Sequence, residues 1–526
     1  MLVVMRSPWT LSPAAIWLLG LGMPLLATDA LARMEQCRPV DLITGGAIKS
    51  HVCFLASDSL GGRHTGSPGY RAAAAYAESL FRRAGLEPIP QAAGSPSYLQ
   101  VVPIARRTPR DRPALVLATP GGQRTLAEGK DFKWFVGDMQ TLETRQVPVV
   151  FAGYGISEPA AGWDDFRGLD VAGKAVVILP GAPVRDGKPV LPEDIHNRYA
   201  PIAGLLVHKV FPLMARRPAA VILLPDDEIA GAWDQIPSMG DQTYLSYANS
   251  DDAALHIGPL CVLSREAAAG LASGQAQAAP WMDGRASETG DPFQLRDVSL
   301  AALASFTAEE VPAWNVVGVV EGSDPALRQE YVAVTAHLDS KAPEEGAIMN
   351  GADDNASGCA AVLEIARAVA ASPPRRSVVF VLFAAEEGGI TGSRHFVSRC
   401  PVPLAGIRAD INLDMIARTS PESESDRAHY ALDSGSIEPA FTSLIKEVNG
   451  RTVNWPLKYE YRMGDSDNIV FRAVGIPAVN LYSGHHQDVN TPGDDADKLD
   501  YDKAQAIARL AYEIATEAAN RDPLWE

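Results

Sequence analysis

Short runs of consecutive apolar residues alternate with amphipathic segments toward the C-terminus of the chain. The runs are rich in β-branched and aromatic residues, which is typical of strands buried on both faces of a sheet. They lie at residues 315–320, 331–336, 377–385 and 407–413. Helical spacing occurs at 357–371 and around 392–398, and the alternation continues over 436–449, 467–474, 476–482 and 501–521. This order predicts the α/β fold class, with a mostly parallel central sheet and helices on both faces.

The first residues of the chain have a different pattern. Residues 1–32 combine Arg6, an apolar core at 14–27 and the small-residue sequence Ala30-Leu31-Ala32, as in a secretory signal. We expect cleavage after Ala32, which predicts a periplasmic or secreted protein with no membrane partner after cleavage. A retained membrane anchor is the alternative, although the apolar stretch is short for a membrane span.

A second change of pattern begins near residue 141. Strands are predicted at 147–156, 175–179 and 219–224. Turn-rich loops separate them, and a stretch of low complexity near 272–292 ends the region. We interpret residues 141–292 as a small inserted domain, and residues 33–140 and 293–526 as the two parts of the main domain. A chain of 526 residues is long enough for two or three domains.

Composition narrows the class of function. The formal net charge of -18 argues against a nucleic-acid partner, because binding to phosphates requires a basic surface. The hydrophobic content of 47% and the charged content of 21% are ordinary for a globular protein. The 5 cysteines form no Cys-x-x-Cys pair, so a zinc site made of thiolates is not expected.

Polar clusters follow the predicted strands at the points where the strands end. The clusters contain His337 with Asp339, Asp354 within residues 351–358, Glu386 with Glu387, and Asp414. In an open α/β sheet, the ligand crevice lies at the carboxyl ends of the strands. Each cluster alone also fits an ordinary role, such as a helix cap or a solvated acid. Four such clusters at one edge of a sheet would repel one another without a cation between them.

The residue types select the metal. Imidazole and carboxylate ligands without a thiolate suit zinc, and they tolerate manganese or cobalt. The carboxylates are too many for one tetrahedral ion, so we predict two zinc ions about 3.5–4 Å apart that share one carboxylate and a nucleophilic water. Either Glu386 or Glu387 must then stay free of metal to act as the general base. Asp339 is placed two residues after His337, where it could orient the imidazole.

The chain carries, in this order, the strings HLDS, GADDNASG, AAEEGG and NLDMIA. This set resembles the co-catalytic zinc exopeptidases, the family that includes bacterial leucine aminopeptidase, aminopeptidase S and glutamate carboxypeptidase II. The strings FAGYGI and GWDDFRGLDVAGKAVVILPG resemble the protease-associated (PA) insert of one bacterial branch. The resemblance covers nearly the whole chain after the signal. It implies a zinc peptidase domain at 33–140 and 293–526 and a PA-like inserted domain at 141–292.

The resemblance also implies a role for each matching residue. His337 and Asp414 would bind one zinc ion, Glu387 would bind the other, and Asp354 would bridge the two ions. Glu386 would be the general base. The implied role of Asp339 is to orient His337.

The chain departs from the family in the loop that should complete the second zinc site. The family has a histidine in a YHTPxD-like string, and Asn490 stands at that position here. His486, or less favourably His485, lies on the same loop and offers a ring nitrogen, whereas Asn490 offers an amide oxygen. The residues Ser466-Asp467-Asn468 stand where SDH is common. The fifth ligand is therefore open between His486 and Asn490, unless the histidines face solvent and Asn490 only fixes the turn.

These features favour an aminopeptidase that hydrolyses N-terminal residues of peptide substrates. A carboxypeptidase acting on acidic dipeptides, or a glutaminyl cyclase of the same family, would leave the same motifs. A non-catalytic binding protein on this fold, as in the transferrin receptor, is the alternative from another class. The PA-like insert would be a lid over the substrate or a spacer, and the oligomeric state is left open.

Overall fold

The computed structural model describes residues 38–90, 94–134, 142–143, 145–201, 205–236, 242–248, 259–278, 292–344, 346–419, 429–432, 439–458 and 466–524. The signal predicted at residues 1–32 lies outside these ranges. Across the described part of the chain, no helix is both long enough and apolar enough to cross a membrane.

Eleven helices lie in the described ranges. They are α1 (Gly45–Leu55), α2 (Pro68–Ala84), α3 (Glu193–Tyr199), α4 (Phe211–Met214), α5 (Asp227–Gly231), α6 (Arg265–Ala272), α7 (Gly358–Ala371), α8 (Thr391–Ser398), α9 (Pro439–Arg451), α10 (Asn468–Ala473) and α11 (Tyr501–Asn520). Local chemistry explains the limits of α2. The Ser67 side chain accepts a hydrogen bond from the Tyr70 N–H at the start of the helix, and Gly85 ends it with a left-handed backbone at φ 81°.

The strands fall into two large sheets and three small ones. They are β1 (Leu99–Val101), β2 (Ile104–Pro109), β3 (Ala114–Thr119), β4 (Gly122–Ala127), β5 (Phe132–Trp134), β6 (Leu142–Glu143), β7 (Val147–Phe151), β8 (Ser157–Glu158), β9 (Trp163–Asp164), β10 (Ala175–Ile178), β11 (Val184–Arg185), β12 (Lys188–Pro189), β13 (Ala220–Leu223), β14 (Tyr244–Tyr247), β15 (Leu260–Leu263), β16 (Phe293–Ala304), β17 (Phe306–Val311), β18 (Trp314–Val320), β19 (Tyr331–His337), β20 (Ser377–Phe383), β21 (Ile407–Leu413), β22 (His429–Leu432), β23 (Leu457–Lys458) and β24 (Ala478–Tyr482).

The eight-stranded central sheet has the order β1-β18-β20-β19-β21-β24-β22-β23. Its inner strands β20, β19, β21 and β24 are parallel to one another. On the flanks, β18 is antiparallel to β20 and β22 is antiparallel to β24. The predicted α/β class is confirmed, but the sheet is mixed, and parallel pairing is limited to the inner strands and the short β22–β23 pair. Apolar runs reveal that a strand is buried, and they do not reveal its direction.

Strand β20 lies inside the sheet and is buried along its whole length. Val378, Phe380 and Leu382 belong to the hydrophobic core that also contains residues of α2, α7 and α11. Val379, Val381 and Phe383 belong to the opposite core, which contains residues of α8 and α10. Helices therefore cover both faces of the sheet, which explains why this strand has no polar position except its first residue.

A second sheet forms from the middle of the chain. Its order is β4-β3-β16-β7-β10-β13-β15-β5, and β6 also pairs with β16. These strands come from both inside and outside the predicted insert 141–292, because β3, β4, β5 and β16 lie beyond its boundaries. The insert boundaries thus remain a prediction. A three-stranded sheet, β14-β2-β17, places one strand of the predicted insert, β14, beside two strands of the predicted main domain, β2 and β17.

The direction of the inner strands positions the polar clusters. β19 ends at His337, β20 ends three residues before Glu386, and β21 ends immediately before Asp414. Because these three strands are parallel, their carboxyl ends meet at one edge of the sheet.

Candidate metal centre

Three side chains at this edge form a close group of metal-binding donors. His337 Nε2 lies 3.2 Å from Asp354 Oδ1 and 3.4 Å from Asp414 Oδ1. The ligand atoms of these three residues lie within 4.8 Å of one another. The His337 side chain is only 1% exposed, so its position is fixed by the surrounding protein.

The Nδ1 atom of His337 has a partner in the backbone of Asp339. The backbone carbonyl oxygen of Asp339 lies 3.2 Å from His337 Nδ1 and accepts a hydrogen bond from the protonated nitrogen. This hydrogen bond leaves Nε2 directed at the two carboxylates, as a ligand nitrogen must be. Burial alone would lower the pKa of His337, but the charges of Asp414 and Glu386 raise it well above its ordinary value. The site therefore favours a positive charge at this position.

Asp354 is positioned by the irregular turn Ala352–Ser357 that precedes α7. The backbone N–H groups of Asp353 and Asp354 both donate to the carboxylate of Asp494, at 3.0–3.1 Å and 3.0 Å. Burial, together with the charge of Asp353, raises the pKa of Asp494 to about 6. The sequence alone assigns no role to Asp494, and its function in holding this turn is evident only from the tertiary contacts.

Glu386 lies beside this group and is held through its backbone. The Glu386 N–H donates to Asp339 Oδ1 at 3.1 Å. Burial raises the pKa of the Glu386 carboxyl well above its ordinary value; the charge of His337 opposes this shift, and the charge of Glu387 adds to it. A carboxylate with a raised pKa holds a proton more readily, which is the property required of a general base.

Glu387 lies outside the three-residue group and has a different partner. Its Oε2 is 2.6 Å from the ammonium nitrogen of Lys341. Its Oε1 is buried and has no hydrogen-bond partner among the described residues. Burial raises the pKa of Glu387 to about 8, the charge of Asp354 adds to the shift, and Lys341 opposes it. Lys341 directly follows the HLDS string, but that position alone did not indicate a contact with Glu387.

Neither His486 nor His485 belongs to the group of His337, Asp354 and Asp414. His486 is buried, and its Nε2 lies 3.3 Å from Asp353 Oδ2, one residue before the predicted bridging acid. His485 is exposed, with its ring 5.9 Å from that of Tyr482. Asn490 is exposed and has φ 57°, a left-handed backbone that asparagine tolerates better than most residues.

The donors of the three-residue group fit one metal ion. His337 supplies an imidazole nitrogen, and Asp354 and Asp414 supply carboxylate oxygens. Asp414 Oδ1 is buried and has no hydrogen-bond partner among the described residues, which is costly unless a cation is nearby. Three protein ligands of this kind leave a position open for water or substrate, as in catalytic zinc sites.

Comparisons with known proteins agree with this chemistry. Residues 315–515 match the model of Peptidase family M28. The chain is 26% identical over 297 residues to aminopeptidase YwaD of Bacillus subtilis (strain 168), covering 54% of this chain and 62% of that protein. It is 33% identical over 186 residues to leupeptin-inactivating enzyme 1 of Streptomyces exfoliatus, covering 35% of this chain and 38% of that protein. The matches thus span less than two thirds of the length of either relative.

One solved structure with a similar arrangement is the aminopeptidase from Aneurinibacillus sp. strain AM-1. Its TM-score is 0.47 at 19% identity, with 91% of this chain and 95% of that chain covered. The family match itself contains every candidate ligand from His337 to Asn490. Residues 315–515, less than half of the chain, are therefore similar to the peptidases of family M28.

Proposed function

We propose that this protein is an exported, zinc-dependent aminopeptidase that hydrolyses the N-terminal peptide bond of its substrates. The observation that carries the proposal is the convergence of His337, Asp354 and Asp414 within 4.8 Å at the carboxyl edge of the sheet, with the carboxylate of Glu386 beside them. The match of residues 315–515 to the model of Peptidase family M28 supports the same reaction class.

His337, Asp354 and Asp414 would hold the zinc ion. Zinc bound there supplies a Lewis acid that polarises the scissile carbonyl and acidifies water. The protein contributes the orientation of the ligands: Asp339 fixes the His337 ring through Nδ1, and Asp494 fixes the backbone of Asp354.

Glu386 would move the proton. Its carboxylate would accept a proton from the attacking water and pass it to the nitrogen of the leaving amine. Charge would then build up neither on the water oxygen nor on the amine nitrogen. The hydrogen bond from its N–H to Asp339 holds the turn after β20 in place. Asp339 thus connects the proton-transfer group to the ligand His337.

The PA-like insert would form one wall of the substrate site. Leu245 on β14 lies against the turn that follows Glu387. The contact is so close that a Cβ added to Gly388 would be only 2.9 Å from the Leu245 Cβ. The hydroxyl of Tyr247, on the same strand, forms a hydrogen bond with the imidazole of His395 in α8. These contacts support a role in limiting substrate access, rather than that of a spacer.

A substrate panel tests the proposal. The purified chain is incubated with aminoacyl-chromophore substrates, N-blocked dipeptides and N-terminal glutaminyl peptides, with and without a chelator. We expect chelator-sensitive release of the chromophore from substrates with a free amino terminus. Turnover only of blocked dipeptides would indicate a carboxypeptidase, and conversion only of glutaminyl peptides a cyclase. If no substrate is turned over, the non-catalytic alternative replaces the proposal.

A further inference from the structure

In the described part of the chain, the second metal position expected from the family lacks a complete ligand set. Glu387 is the expected carboxylate ligand of the second ion. The histidine that the family has as a further ligand is replaced here by Asn490. A neutral amide oxygen is a poor substitute for imidazole, because zinc is bound in proteins by thiolates, imidazoles and carboxylates.

Among the residues that the structure describes, no histidine joins the group of metal-binding donors in its place. His486 is the buried histidine of this loop, and its Nε2 faces Asp353 at 3.3 Å. Asp353 is itself held, since its Oδ1 accepts a hydrogen bond from the Ala417 N–H at 2.7 Å. His486 Nε2 thus lies beside an acid that is neither Asp354 nor Glu387, and it makes no hydrogen bond among the described residues.

Asn490 lies in an anchored turn and is exposed. The Thr491 N–H and hydroxyl both donate to the Asp488 carbonyl, at 3.1 Å and 2.7 Å. The Asp488 carboxylate is paired with Arg418 at 3.1 Å and with Lys498 at 3.2 Å. The ends of the turn are therefore anchored by contacts that do not involve the metal-binding group.

The ammonium group of Lys341 already contacts Glu387, the carboxylate that the second ion would need as a ligand. The Lys341 ammonium lies 2.6 Å from Glu387 Oε2. Its positive charge also acts on Asp354, the carboxylate predicted to bridge two ions. Two carboxylates that face one position repel each other unless a cation is nearby, and an ammonium meets that requirement with a single fixed charge.

We propose that the centre binds one metal ion, held by His337, Asp354 and Asp414, and that the Lys341 ammonium replaces the second ion by pairing with Glu387. This inference rests on the proposed zinc-dependent function and narrows it to a one-ion site. Lys341 is a positioning residue: it neutralises and holds Glu387 next to the metal-binding group. Because an ammonium has no open coordination position, it cannot bind a water or a carbonyl as a metal does.

The test measures zinc stoichiometry rather than activity. The full chain is dialysed against buffered zinc, and bound zinc per chain is measured by atomic spectroscopy; titration with Co²⁺, followed by visible absorption, provides a second readout. We expect saturation at one ion per chain for the native protein and for Lys341→Arg. The double variant Lys341→Met/Asn490→His, which removes the ammonium and restores the imidazole, should bind two ions.

Lys174→Met is the matched control, because it removes an ammonium from the ion pair with Asp170, which does not involve Glu387 or the turn of Asn490. It should remain at one ion. Two ions of similar affinity in the native protein would overturn the inference, whether or not any variant folds. A double variant that folds and still binds only one ion would also overturn it.

The outcomes separate this inference from the proposed function. One bound ion without peptidase activity would support the one-ion inference and contradict the proposed aminopeptidase function. Two bound ions with peptidase activity would contradict the one-ion inference and support the proposed function. A native chain that binds no zinc would contradict both.

Discussion

The carboxylate of Asp339 accepts a hydrogen bond from the backbone N–H of Glu386 at 3.1 Å. The same oxygen lies 3.8 Å from Nδ1 of His337. Asp339 therefore links the end of β19 to the turn after β20, and the candidate metal ligand to the candidate base. A change at this side chain should act mainly on the turn that carries Glu386, because the hydrogen-bond partner of His337 Nδ1 is the Asp339 backbone carbonyl.

Asp339→Ala should lower kcat, since the Glu386 N–H loses its acceptor. Zinc affinity should fall by less than the about 10–100-fold typical for loss of an outer-sphere partner of a ligating histidine, because the backbone carbonyl that accepts from His337 Nδ1 remains. Asp339→Asn keeps an oxygen for the Glu386 N–H and should retain more kcat than the alanine variant. Steady-state kinetics measure kcat, and competition titrations against a chromophoric chelator measure the affinity. Unchanged kcat in both variants would show that the Asp339 carboxylate does not hold the turn that carries Glu386.

Glu386→Gln should remove the base and leave the metal in place. We expect kcat to fall by about 10²–10⁴-fold, the typical contribution of general acid–base catalysis. Zinc content should stay at the native value, because Glu386 is not among the three grouped donors. Steady-state kinetics and atomic spectroscopy on the same samples check both points. Full activity in this variant would mean that Glu386 is not the base.

Asp414→Asn and Glu387→Gln should differ in zinc content. Asp414 Oδ1 faces His337 Nε2 at 3.4 Å, so the Asp414→Asn variant should lose most of its zinc. Glu387 is paired with Lys341, so Glu387→Gln should retain the ion held by His337 and Asp354. Atomic spectroscopy after dialysis gives both values. Equal losses would place Glu387 among the ligands of the bound ion.

Asp494→Ala should destabilise the fold as well as the centre. The substitution leaves the buried N–H groups of Asp353 and Asp354 without their acceptor. An unsatisfied buried donor costs about 1–3 kcal/mol, so the free energy of unfolding should fall by roughly 2–5 kcal/mol. Asp497→Ala, at an exposed position nearby, should change it by less than about 0.5 kcal/mol. Urea denaturation of both variants tests the difference.

Asp165 lies in the middle of the chain, and Asp165→Asn should change how the stability of the protein depends on pH. Burial raises the pKa of Asp165 from 3.8 to about 6; hydrogen bonds such as that from the Ile156 N–H at 3.0 Å oppose the shift. Since the pKa is higher in the folded state, the neutral acid stabilises the native protein fully below about pH 4. That stabilisation disappears as the pH rises through about 6.

The asparagine variant should not show this decline. Relative to Asp165→Asn, the native protein should lose up to about 3 kcal/mol of unfolding free energy between about pH 4 and pH 7, at about 1.4 kcal/mol per pKa unit. Denaturation curves over this range provide the comparison. Parallel pH profiles for the two proteins would show that Asp165 is not titrating in this interval.

Several elements could be predicted from the sequence because their cause is local. The run that forms β21 was predicted with the observed bounds Ile407–Leu413, and α7 and α11 were predicted within one residue of their observed limits. Continuous apolar runs require burial on both faces, and helical spacing requires one apolar face, whatever the rest of the fold is. The polar residues that interrupt these runs, such as His337, had to lie at strand ends for the same reason.

The sequence by itself determined which residues lie at the carboxyl edge of the central sheet and that imidazole and carboxylates would meet there. Only the tertiary structure decided which of them are in contact. The Lys341–Glu387 and His486–Asp353 pairs join loops whose bending depends on the packing of several elements at once. Likewise, the antiparallel flanks of the sheet depend on the connections between strands, because burial of a strand is independent of its direction.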